Sequence, residues 1–150
     1  MSKKRLNYYS AAPGALDGMM ELEKFVRDSK LEPSLVELVK MRASQINRCA
    51  YCIDMHSKDA RKAGETEQRL YALSAWREAP FFTDRERAAL EWTEELTLIS
   101  QNDAHDSLYQ HMLVHFTEEE LVTLTMAIVA INGWNRLAVG FRSEVGGYEA

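Results

Sequence analysis

The sequence predicts an all-α protein of six or seven helices, and three observations lead there. No stretch alternates apolar and polar residues as a strand would. Pro13, Pro33, Gly64 and Pro80 stand at the joints between segments of helical spacing. Two Thr-x-x-Glu signatures, Thr83 with Glu86 and Thr117 with Glu120, each open such a segment. In that box the Thr hydroxyl and the Glu carboxylate each accept a backbone N–H that the helix leaves unpaired. There is no repeat, low-complexity tract or linker, so residues 1–150 read as one domain with residues 1–12 as an N-terminal arm. A chain of 150 residues is long enough to bury a real core.

Pro13 is expected to open a first helix through about Ser29, with Leu16, Met19, Leu22 and Val26 near helical spacing. Pro33 suits the first turn of a second helix, which carries Leu35, Leu38, Val39 and Ile46 on one face. Arg42 lies within that face and, if buried, needs a carboxylate or carbonyl partner. Glu37, Met41 and Ser44 mark the opposite side, so this helix reads as a central one. A third helix begins near Cys49 and runs to about Lys62, where Gly64 stops it. Thr66 caps a fourth through about Ala79, with Leu70, Leu73 and Arg77 roughly in register and Trp76 beside them. The helix behind Thr83 carries Ala89, Leu90, Trp92, Leu96 and Ile99, and Asp103 is expected to cap a shorter one ending at His115. The last runs from Glu118 to about Phe141, with Phe116 and Leu121 as its hydrophobic staple. It is apolar on nearly all sides from Leu121 to Ile131, as in a helix buried in a bundle or an assembly, and Asn132, Asn135 and Arg136 break any simple membrane span.

The third helix holds the chemistry. Cys49 and Cys52 are the only cysteines, and His56 follows four residues later. At about 100° per residue the three fall in one stripe, each roughly a turn from the next. A helix N-terminus favours a thiolate, and thiolate is the nucleophile. A second thiol three residues on can close a disulfide, and an imidazole can hold or relay the proton. Cys49, Cys52, Ile53, His56, Ala60 and Ala63 share this inward side; Asp54, Lys58, Asp59, Arg61 and Lys62 take the other. Glu37 stands twelve residues before Cys49. That is about 18 Å along one continuous helix, so it reaches the thiols only if the second and third helices fold back on each other.

Composition narrows the function classes. A net charge of -5 gives no footprint for nucleic acid or an anionic membrane. Lys3, Lys4 and Arg5 lead into Leu6, Asn7, Tyr8 and Tyr9, which is not an apolar export core, and a cytoplasmic location is expected. In that reducing compartment a close Cys pair points to catalysis or metal rather than to a structural staple. The bland alternative is a pair of buried, inert cysteines. Zinc is another: Cys49, Cys52 and His56 with His111 or His115 would make four ligands. A helical domain with a full core does not need zinc to fold, so no metal or cofactor is expected, and His105, His111 and His115 read as solvated side chains. A protein dithiol–disulfide exchanger remains a third possibility.

The segment Ser44-Gln45-Ile46-Asn47-x-Cys49-x-Tyr51-Cys52-x-x-x-His56, with Glu37 upstream, resembles the signature of the AhpD-like alkylhydroperoxidase family within the carboxymuconolactone decarboxylase superfamily. A weaker likeness covers roughly residues 15 to 145, including Ile131 to Leu137. The resemblance implies an all-helical bundle assembled as trimers or hexamers, with peroxidase activity toward hydroperoxides and an external dithiol reductant of lipoyl or thioredoxin type. It assigns attack on peroxide to Cys52, resolution to Cys49, and a proton relay to Glu37 and His56. Spacing alone would favour Cys49, nearer the helix end, as the lower-pKa thiol. The decarboxylases of the superfamily lack the CxxC, which argues against decarboxylation. Some peroxidases of the family carry a histidine between the cysteines, where this chain has Tyr51.

Overall fold

The computed structural model describes residues 3–150. The first two residues of the expected arm lie outside them. Among the described residues the chain forms eight α-helices and no strand. They are α1 (Tyr8–Ala11), α2 (Asp17–Arg27), α3 (Pro33–Ile46), α4 (Ala50–Lys62), α5 (Glu67–Ala72), α6 (Asp84–Thr97), α7 (Asp106–His115) and α8 (Glu118–Phe141). A 3-10 turn, Leu73–Ala75, extends α5.

The centre of the bundle is α3, which packs against α4, α6 and α8. It is buried on more than one side: Leu35, Leu38 and Val39 are buried, and so are Met41, Ala43 and Ser44. One core cluster joins Val26, Val36, Val39, Trp92, Met112 and Leu124 between α2, α3, α6, α7 and α8. A second joins Leu38, Met41, Leu73, Trp76 and Leu90 on the other side of α3. Arg42 finds the carboxylate it needs: its Nε donates to Glu94 Oε1 at 2.9 Å.

Both capping boxes form, at Thr83 with Glu86 and at Thr117 with Glu120, and α8 starts behind the second with Phe116 and Leu121 buried. By length and a mean hydropathy of 1.2, α8 could cross a membrane, but here it is a bundle helix packed on α2, α3, α4, α6 and α7. Its apolar surface is not wholly covered, since Val122, Val129 and Val139 are exposed.

Five features differ from expectation. Pro13 stands in a turn and not in a helix, because Gly14 takes φ +82° and Ala15 N–H bonds back to Ala12, so α2 begins four residues later at Asp17. The arm itself contains a turn of helix, α1, capped by Asn7. The fourth helix is shorter than expected, since α5 tightens into the 3-10 turn before the buried Trp76. Asp103 caps nothing: Glu95 Oε1 accepts the Ala104 N–H at 2.7 Å, holding the loop so that α7 starts behind His105. Ile99 lies past the end of α6 and is exposed.

Candidate active site

The turn from α3 to α4 sets the site. Arg48 adopts the left-handed conformation at φ 55°, where glycine is the usual occupant. Around it Cys49 N–H donates to Ser44 C=O at 3.0 Å, and Arg48 N–H to Gln45 C=O at 3.2 Å. These are the two reversed bonds that close a helix C-terminus. The residue that ends this motif, Cys49, is also the N-cap of α4, and its Sγ accepts the Cys52 N–H at 3.4 Å. The connection is so short that α4 folds straight back along α3. Glu37 of α3 is therefore brought beside His56 of α4 despite their separation in sequence.

Side-chain amides pin this elbow to α8. Asn47 Nδ2 donates to Asn132 Oδ1 at 2.9 Å and to Asn135 Oδ1 at 2.8 Å. Asn135 Nδ2 in turn donates to Ser44 Oγ at 3.0 Å, and Ser44 Oγ to Lys40 C=O at 2.8 Å. Asn135 is 2% exposed and Ser44 fully buried, so the bonds that Ser44 makes to Asn135 and Lys40 lie away from water and are costly to lose. Ser44 and Asn47 of the sequence signature, with Asn132 and Asn135 of α8, thus serve as a scaffold for the cysteines.

Cys49 and Cys52 are joined as a disulfide with Cα atoms 5.4 Å apart. They sit against Ala43, Ile131 and Ala138, with Tyr51 and Trp134 at the edge. Their exposures are 1% and 2%, so no bulky group meets either sulfur without local movement. One turn on, buried His56 places Nδ1 at 2.9 Å from Glu37 Oε2. With the carboxylate ionised, the ring donates from Nδ1 and keeps its Nε2 lone pair free. Glu37 is half-buried and opens on a cavity of about 310 Å³ lined also by Leu38, Ala60 and Arg69. Of the four residues singled out in the sequence, Cys49 pairs with Cys52 and Glu37 with His56, and Cys52 and His56 stand one turn apart on α4.

Two neighbours were not foreseen. Asp59, assigned by the helical wheel to the solvent side of α4, has a carboxylate oxygen within 4.8 Å of donor atoms of Glu37 and His56. The chain's last residues fold back over α4, and Tyr148 Oη donates to Asp59 Oδ1 at 2.8 Å. That bond, with burial, pushes the Tyr148 phenol above its ordinary range. Burial, aided by the charges of Tyr8, Asp54 and Asp59, does the same to Tyr51 beside the cysteines. The three-residue step from His56 to Asp59 was legible; the return of Tyr148 was not. His111 and His115 stack with each other on α7, 5.0 Å between ring centres, and belong to no cluster of three donor side chains among the described residues. The four-ligand zinc arrangement with the cysteines is therefore not assembled.

A helical bundle with a dithiol at a helix start and a Glu–His pair one turn away defines a class. The chain belongs to the carboxymuconolactone decarboxylase family, whose model matches residues 13–95, and within that superfamily it is AhpD-like. A relative of unassigned function, YdfG of Bacillus subtilis (strain 168), is 46% identical over 136 residues, covering 91% of this chain and 92% of that protein. A crystal structure of ATU0492 from Agrobacterium tumefaciens, a protein of unknown function described as a candidate AhpD antioxidant defence protein, is similar with a TM-score of 0.93. It is 46% identical and covers 97% of this chain and 100% of its own. The debrominase Bmp8, in complex with 2,3,4-tribromopyrrole, shares the fold at a TM-score of 0.80 with 17% identity, over 92% of this chain and 74% of its own. What this chain shares with the debrominase is the fold.

Proposed function

We propose that this protein is a thiol-dependent peroxidase that reduces hydroperoxides through a Cys49/Cys52 dithiol–disulfide cycle. The observation that carries the reading is the 2.9 Å contact between His56 and Glu37, one helical turn from a CxxC already able to close as a disulfide. In the reduced protein His56 takes the Cys52 proton, and Glu37 holds the resulting imidazolium. The Cys52 thiolate attacks the terminal oxygen of ROOH. The O–O bond breaks, Cys52 becomes the sulfenic acid, and the departing alkoxide takes the stored proton to leave as ROH. The Cys49 thiol then displaces water from that sulfenic acid and forms the disulfide. An external dithiol of lipoyl or thioredoxin type reduces it by exchange and is itself oxidised. The assignment of Cys52 as attacking sulfur rests on the resemblance to the AhpD-like family; Cys49, as N-cap, keeps the resolving position.

Near-complete burial of both sulfurs favours a small oxidant over a protein disulfide as the species attacked, and so favours peroxidase over protein exchanger. The exposed Val122 and Val129, seven residues apart on one stripe of α8, support assembly as a homo-oligomer, a trimer or hexamer by family likeness. The proposed setting is the cytoplasm, where a dithiol donor is at hand.

The test is peroxide consumption by purified protein with a dithiol donor, set against Cys52→Ser. Turnover that disappears in the variant supports the cycle; turnover that survives removes Cys52 from its role. Rapid disulfide exchange without peroxide consumption would select the exchanger instead.

A further inference from the structure

We propose that Glu37, His56 and Asp59 form a binding site for a divalent cation of the zinc type, placed where it would take the proton relay out of use. His56 and Asp59 are three residues apart on α4, and Glu37 comes from the facing helix α3. One donor atom from each lies within 4.8 Å of the other two, and His56 Nδ1 lies 2.9 Å from Glu37 Oε2. Ligands of a tetrahedral zinc with bonds of about 2.0–2.1 Å are separated by roughly 3.3–3.4 Å. The near pair needs to open by a few tenths of an ångström. The more distant carboxylate needs to close by a small side-chain rotation, for which half-buried Glu37 and Asp59 have room on their solvent side.

Charge argues the same way. Two carboxylates face one imidazole, and among the described residues no Lys or Arg pairs with either. The lysines that flank Asp59 on α4 are turned elsewhere: Lys58 Nζ to Asp54 Oδ2 and Tyr148 C=O, Lys62 Nζ to Ala150 C=O. Arg69, which lines the same cavity as Glu37, is held by Glu65 and Glu86. The negative pair therefore lacks a fixed counter-ion.

Asp59 is also oriented as a ligand would be. The Tyr148 hydroxyl holds Oδ1 at 2.8 Å and leaves Oδ2 available. Outer hydrogen bonds of this kind set the direction of ligating carboxylates. One imidazole with two carboxylates suits a borderline cation better than magnesium or calcium, which prefer oxygen alone. On binding, the cation replaces the proton between His56 Nδ1 and Glu37 Oε2, and that proton leaves to solvent. Because it occupies the relay, zinc should also slow peroxide turnover, a consequence that rests on the function proposed above.

The test is calorimetric titration of Zn²⁺ into the metal-stripped protein with its disulfide closed, so that no thiol can act as ligand. One saturable site per chain is expected, weakened at least tenfold in Asp59→Asn and likewise in Glu37→Gln, with helical content by circular dichroism showing each variant folded. Replacing both His111 and His115 by Gln should leave the affinity unchanged. No saturable binding, equal affinity in Asp59→Asn, or loss of the site in the His111/His115 variant would each overturn the proposal. Peroxide turnover in metal-free buffer is read separately. Its absence would sink the peroxidase reading while the zinc comparison still decides this site.

Discussion

At the scale of single residues, the two relay groups differ in how they are held. His56 is buried on α4 with one fixed partner, whereas Glu37 is half-buried at the mouth of a cavity and reaches His56 from another helix. Glu37→Gln keeps the shape and a weaker contact but cannot hold an imidazolium. It should therefore lower peroxide turnover by about 100-fold, the usual worth of a general acid–base group, with no change in circular dichroism. Cys49→Ser should behave differently from Cys52→Ser. With no resolving thiol, the sulfenic acid on Cys52 persists and should be trapped by a dimedone-type reagent. A trapped adduct on the Cys52→Ser variant, carried by Cys49, would reverse the order of the two sulfurs. The inward stripe of Cys49, Cys52 and His56 was legible because helical spacing alone decides it. Glu37 was reachable only through family likeness, since its contact depends on how sharply α3 returns into α4. Asp59 was placed on the wrong side because a helical wheel knows nothing of the helix packed against it.

At the scale of elements, the α3–α4 elbow is the feature on which the site depends. Arg48 in the left-handed region costs roughly 1 kcal/mol relative to glycine, and its side chain is exposed. Arg48→Gly should therefore raise the free energy of unfolding by about 0.5–1 kcal/mol, measured by urea titration, while leaving the Cys49 cap in place. The amide network has the opposite sign. Asn135→Ala leaves Asn47 Nδ2 and Ser44 Oγ each short of a buried partner and should destabilise by about 2 kcal/mol. Capping boxes and the C-terminal glycine of α4 were readable because their chemistry lies within a few residues. The ends of α5 and α7 were not, because a tightened turn and a distant Glu95 side chain decide them.

At the scale of the whole molecule, a few carboxylates join the helices and make the fold sensitive to acid. Glu94 is desolvated, which alone would raise its pKa, but hydrogen bonds from Arg77, Trp76 and Arg42 prevail and hold it below the usual value. Glu32 and Glu120 are likewise lowered, chiefly by Arg85, which ties α3 to α6 and α8. A carboxylate with a depressed folded-state pKa binds its proton more readily when unfolded. Its stabilising effect is therefore complete above the ordinary value of 4.5 and is lost as the pH falls through the folded-state value. The melting temperature should hold between pH 7 and pH 5.5 on this account and fall below about pH 4.5. Glu94→Gln should make that acid fall shallower; an unchanged slope would remove Glu94 from the explanation.

The dithiol cycle itself is tested most directly by counting thiols after one equivalent of hydroperoxide is added to the fully reduced protein. Both thiols of each chain should be lost, with Cys49 and Cys52 linked within the same chain on peptide mapping. Thiols that remain titratable, or a linkage formed only between chains, would contradict it.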